Sequence, residues 1–145
     1  MVRCGRPPRT ILANVDAAGI TVEVSDAQHL ILVKLRGMPK PDAIVQMLEK
    51  LNIFIETDTS LRVLIDENDL RPGFVGPGDI ARFVKAWRQG KALRKARLAV
   101  FVSNAAMYGL NRMFQGIADS EGNVRVFHDR AHAVAWLEGD PSAND

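Results

Sequence analysis

The chain has few of the residues that staple, anchor or cut. Its single cysteine, Cys4, excludes an internal disulfide framework and points to a reducing, cytoplasmic setting. No apolar run approaches the ~20 residues of a membrane span, so no transmembrane segment is expected. The opening MVRCGRPPRTI is basic but lacks the apolar core of a secretory signal. There is no internal repeat, low-complexity block or second-domain linker. The net charge is only +2, without the basic excess of an obligate nucleic-acid binder, and nucleic acid is not expected as a partner.

What is present is enough apolar residue to fold. At 145 residues and 47% hydrophobic, one domain can bury roughly 70% of its unfolded surface. Residues 1–18, with Pro7-Pro8 and little periodicity, read as a loose arm. Residues 19–139 read as a single domain, and 140–145 as a polar tail.

The domain is organised around Arg97–Ile117, RLAVFVSNAAMYGLNRMFQGI. Leu98–Val102 is an unbroken apolar run, the mark of a strand buried on both faces. Ser103-Asn104 supplies helix-capping residue types where the period changes. Met107, Leu110, Phe114 and Ile117 then form the apolar stripe of a helix, with Asn104, Tyr108, Asn111 and Gln115 as a polar stripe beside it. A strand feeding a helix this way places the polar stripe at the strand's carboxyl end, where parallel α/β sheets tend to bind ligands.

Around that centre the periodicity alternates. Ile20–Val24 and Leu30–Arg36 read as strands joined by a turn, hence an antiparallel hairpin. Pro39 and Pro41 preset a helix through Ile44, Val45, Leu48 and Leu51. Leu61–Ile65 is a third strand. The stretch from Asp66 to Gly78, with Gly73, Gly76, Gly78, Pro72 and Pro77, reads as a long loop of the kind that is often functional. Asp79 is the expected cap of a helix with Ile80, Phe83, Val84 and Trp87 inward, weakened or ended at Gly90. Val124–Phe127 is the last strand. Asp129 caps a final helix whose inner face is Ala133, Val134, Trp136 and Leu137. The order β-β-α-β-α-β-α-β-α implies an α/β fold with a mixed, mainly parallel sheet of four or five strands.

Three segments, LRVLIDENDLRPGF, LAVFVSNAAMYGLNRMFQ and VRVFHDRAHAVAWLEG, together resemble the SpoIIAA-like family of small bacterial proteins. Gly109, Arg112 and Phe114 carry the resemblance in the central helix, and Phe127, Ala133, Trp136 and Leu137 carry it at the end. Order and spacing agree over residues ~20–138, the span of one domain. The resemblance implies the STAS-like fold of anti-sigma-factor antagonists, related in layout to CRAL-TRIO domains, and no established activity. Antagonists of that kind carry a phosphorylatable serine after the third strand. This chain has Asp66-Glu67-Asn68-Asp69 there, so a serine phosphoswitch does not transfer.

Candidate chemistry is sparse. Asp66, Glu67 and Asp69 suit an acid/base pair or a hard-metal site, but short acidic turns are commonplace and a solvated loop is the better reading. His128 and His132 have helical spacing for zinc, yet Asp129 as cap leaves His128 outside the helix. His29 sits beside a turn and is set aside, and Cys4, in the loose arm, has no histidine partner nearby in sequence. Gly76-Pro77-Gly78-Asp79 lacks the Lys-Ser/Thr of a phosphate loop. Arg82, Lys85, Arg88, Lys91, Arg94, Lys95 and Arg97 form a basic run without an interleaved aromatic platform, best read as a solvated face. No metal or cofactor is expected.

The best site is the carboxyl edge of the parallel strands. There Asp66, Ser103, Asn104, Tyr108 and Arg112 form the polar side, and Phe74 and Met107 the apolar side. Arg112 offers a fork for a carboxylate or phosphate. The leading reading is therefore a non-enzymatic STAS-like binding or regulatory module for a small anionic or amphipathic ligand or a protein partner, self-associating as a homodimer. The alternative is a small-molecule or lipid carrier with residues 66–78 as a lid. An enzyme using Asp66 and Tyr108 ranks last.

Overall fold

A computed structural model describes residues 9–10, 19–25, 27–71, 76–118 and 123–139. Cys4, Phe74 and the tail from 140 lie outside the described residues. The strands are β1 (Arg9–Thr10), β2 (Ile20–Ser25), β3 (Leu30–Gly37), β4 (Arg62–Leu70), β5 (Leu98–Phe101) and β6 (Val124–Phe127). The helices are α1 (Pro41–Thr57), α2 (Pro77–Gln89), α3 (Lys91–Lys95), α4 (Ala105–Ala118) and α5 (Arg130–Leu137).

The strands lie in one sheet in chain order, β1 to β6. β2 pairs antiparallel with β3, and β3 to β6 run parallel. The expected hairpin and interior β5 are therefore found. Arg9–Thr10 adds a two-residue antiparallel edge to β2, a sixth strand too short for apolar alternation to reveal.

Chain-order strands have a strong consequence. Right-handed crossovers that always step the same way put every crossover helix on one face. Accordingly α1, α2, α3 and α4 share a core with the residues of one sheet face, including Ile31, Val33, Val63, Ile65, Val100 and Val126. Among the described helices α5 alone covers the other, where Ala133, Trp136 and Leu137 pack on Leu64, Ala99 and Phe127. Each large aliphatic side chain so buried contributes ~1.5–3 kcal/mol.

Two expectations are corrected. The loop foreseen from Asp66 is strand as far as Leu70. Lys34 pairs with Asp66 but Arg36 with Asp69, so β4 carries one extra residue, a bulge at Glu67–Asn68. The bulge breaks the two-residue alternation and makes the strand read as a turn. Asp79 is not the cap of α2 but its third residue. Gly76 is the cap, and the Asp79 carboxylate accepts the Gly76 N–H at 2.9 Å. The basic run is divided between α2, with Arg82, Lys85 and Arg88, and the short α3 after Gly90, with Lys91, Arg94 and Lys95, while Arg97 stands just before β5.

Candidate functional site

The alternation of β4 aims Val63, Ile65 and Glu67 at the face that α1, α2 and α4 cover. A partly open pocket of about 60 Å³ lies there. Its floor is Leu35, Ile65, Glu67, Leu98 and Val100, and its roof comes from α1 (Ile44, Met47, Leu48), α2 (Ile80, Phe83) and α4 (Met107, Leu110, Asn111, Phe114). That volume holds about four waters and is less than half the ~150 Å³ of an apolar cavity that takes benzene. Twelve of the fourteen lining residues are apolar; Glu67 and Asn111 are the other two.

Glu67 is buried, 8% exposed. Burial pushes its carboxyl up to about 7, the neighbouring Asp66 charge adds to the rise, and a hydrogen bond from Asn111 opposes it. That bond runs from Asn111 Nδ2 to Glu67 Oε1 at 2.6 Å. Asn111 Nδ2 also donates to the Met107 carbonyl at 2.9 Å. The pair thus makes a polar end to an otherwise greasy pocket, with a carboxyl poised between its acid and base forms near neutrality.

The residues expected to form a site are divided by the fold. Met107 is buried and lines the pocket. Asp66 points to the opposite sheet face, where Arg130 Nη1 lies 3.6 Å from Oδ2 and Oδ1 accepts the Asn68 N–H at 2.9 Å. Ser103 Oγ donates to Asn68 Oδ1, tying the end of β5 to the bulge. Asn104 Oδ1 caps α4, accepting from Ala106 N at 2.9 Å and Met107 N at 3.1 Å, so those N–H groups are already engaged. Tyr108 stacks on His128 with ring centroids 3.7 Å apart and 15° between planes. The exposed Arg112 lies over the Tyr108 ring itself, 6.0 Å from its centroid. These polar groups form a rim at the carboxyl ends of β4 to β6 and do not line the pocket.

The strand order explains the difference. A ligand crevice at strand ends arises where the order reverses, and this order never does. Sequence reasoning weighed Glu67 and preferred a solvated loop, whereas the residue is buried, and it left Asn111 on the polar stripe without placing it in the site. Asn111 stood on the polar stripe of α4, and Glu67 follows Val63 and Ile65 at steps of two, so both signals existed. Among the described residues no group of three or more His, Cys, Asp or Glu could hold a metal. His29 sits in the β2–β3 turn at a φ of 52°, with Nδ1 2.9 Å from Ser60 Oγ.

A mixed sheet with its crossover helices on one face and a closing helix on the other is the SpoIIAA-like fold. Over 94% of its length the chain is similar to the crystal structure of an uncharacterised DUF3478-family protein with a SpoIIAA-like fold from Shewanella loihica PV-4. The match covers 99% of that chain at 17% identity and a TM-score of 0.55. The expected SpoIIAA-like layout is thereby found. No family model and no curated protein matches the chain. No helix among the described residues is long and apolar enough to cross a membrane.

Proposed function

We propose that this chain is a non-catalytic binding module that holds a small, mostly apolar molecule between the sheet and helices α1, α2 and α4. One observation carries the reading: a partly open pocket lined by twelve apolar residues and a single carboxyl–amide pair. Binding sites are typically apolar concavities with a few placed polar groups, and this one has that character at small scale. Within the lining, one carboxyl paired to one amide can hold a proton or a hydrogen-bonding head group. It supplies no nucleophile–base couple. The finer regulatory role foreseen for a STAS-like module would follow if occupancy shifts α4, whose N-terminal end carries the Tyr108–His128 stack at the surface.

Xenon tests the pocket without regard to head-group chemistry, because it enters apolar cavities. Pressurised xenon should shift the NMR resonances of Leu48, Phe83 and Leu110 and leave Tyr108 and Arg112 unmoved. Unchanged Leu48, Phe83 and Leu110 signals would remove the reading.

A further inference from the structure

The polar end of the pocket has a sense, and it follows from one amide. Asn111 Nδ2 has two hydrogens, and both are used, at 2.6 Å on Glu67 Oε1 and at 2.9 Å on the Met107 carbonyl. The Met107 carbonyl can only accept, so the amide cannot be turned the other way without setting two acceptors against each other. That leaves Glu67 Oε2 and Asn111 Oδ1, to which no described residue donates. Both are acceptors. None of the fourteen lining residues is Lys, Arg or His.

Building on the binding-module reading, we infer that the pocket selects a short aliphatic molecule whose head group donates hydrogen bonds, an amine or an alcohol, and rejects the matching carboxylate. An ammonium group would satisfy both oxygens and pair with the ionised carboxyl. A hydroxyl would donate to one of them and, when Glu67 is protonated, accept from its O–H. Above pH 7, where Glu67 is ionised and the probes below are compared, a carboxylate would bring two more acceptors and a like charge into a site with no remaining donor, and an unpaired buried charge is strongly disfavoured. The apolar roof and floor take the carbons next to the head group, and the open side of the pocket leaves room for the remainder of a short chain.

Three probes of one chain length separate the possibilities: n-butylamine, 1-butanol and butyrate, each titrated into the labelled full chain and followed at Leu110, Phe83 and the Asn111 side-chain amide. Butylamine and butanol should bind at least tenfold more tightly than butyrate. Glu67→Gln keeps an oxygen for Asn111 but turns Oε2 into an N–H donor. It should weaken butylamine at least tenfold and narrow or reverse the gap to butyrate, with the xenon shifts retained as evidence of an intact pocket. Butyrate binding as tightly as butylamine, or an unchanged order in Glu67→Gln, would overturn the head-group assignment while xenon binding left the pocket reading standing. If neither xenon nor any of the three probes binds, the pocket reading and this assignment fall together.

Discussion

At the scale of single residues, Glu67 sets the most direct test of the fold's electrostatics. In the unfolded chain its carboxyl titrates near the ordinary 4.5, and in the fold burial holds it near 7. Between those values the folded chain keeps a proton that the unfolded chain releases. The stability tied to Glu67 is therefore full below about pH 4.5 and is lost as pH rises through 7. At 1.36 kcal/mol per unit the loss is of order ~3 kcal/mol. Glu67→Gln removes the titration, so its advantage over the parent should grow between pH 5 and pH 8 in urea unfolding midpoints. A constant difference across that range would show that Glu67 is as well solvated in the fold as outside it. Arg112 gives the complementary expectation. It was foreseen as an anion fork, but it sits exposed over Tyr108 and away from the pocket. Arg112→Ala should leave butylamine affinity within twofold of the parent and cost less than ~0.5 kcal/mol of stability, as surface changes usually do.

At the scale of elements, α5 shows how a helix of eight residues is held alone on its face. Asp129 Oδ1 accepts from Ala131 N at 2.7 Å and His132 N at 3.2 Å at its start. At its end the guanidinium groups of Arg97 and Arg62 donate to the Trp136 and Leu137 carbonyls, where cations also favour the macrodipole. Arg97 and Arg125 lie 5.1 and 5.6 Å from the Trp136 ring, a cation–π setting on a ring that is itself buried. Trp136→Ala should cost ~3–5 kcal/mol as a large-to-small core change, and Asp129→Ala about 1 kcal/mol as a lost cap. Both are read from denaturant midpoints, and an unchanged Trp136→Ala midpoint would mean that α5 is not part of the core. These features were legible beforehand, since the cap type, the inward tryptophan and the stop at Gly139 are local signals. The bulge at Glu67–Asn68 was not. A run of acids after an apolar strand carries the composition of a turn, and only pairing with β3 reveals that the strand continues. Gly90 was legible in part. Its closing of α2 was expected, but a Cβ there would also lie 2.9 Å from Asn52 Oδ1, the oxygen that accepts from Ala92 N and Leu93 N to start α3. Those two bonds join residues 40 and 41 apart, which no local pattern encodes.

At the scale of the whole molecule, alternation of strand and helix settles the class of fold but leaves the strand order open, and with it where a pocket forms. A reversing order would have opened a crevice at the carboxyl edge, where the polar rim stands. A monotonic one gathers the crossover helices on a single face and makes the pocket beneath them instead. Among the described residues the same topology ends the sheet at β6. Leu98 N donates to Asn123 O at 2.8 Å and Val102 N to Phe127 O at 3.0 Å. In a parallel strand, alternate residues use their backbone groups on alternate sides. Those of Val124 and Val126 therefore face the free edge. A free edge is a template for another strand, and a second copy related by a two-fold axis would meet it antiparallel, in the closed symmetry that most oligomers adopt. This is the route by which the homodimer proposed from the sequence would form. Light scattering should then return twice the 16.0 kDa chain mass, and the Val124 and Val126 amides should be protected from hydrogen exchange only at dimer-forming concentrations. A mass of 16.0 kDa that does not change with concentration, with those two amides exchanging freely throughout, would leave β6 an edge without a partner copy.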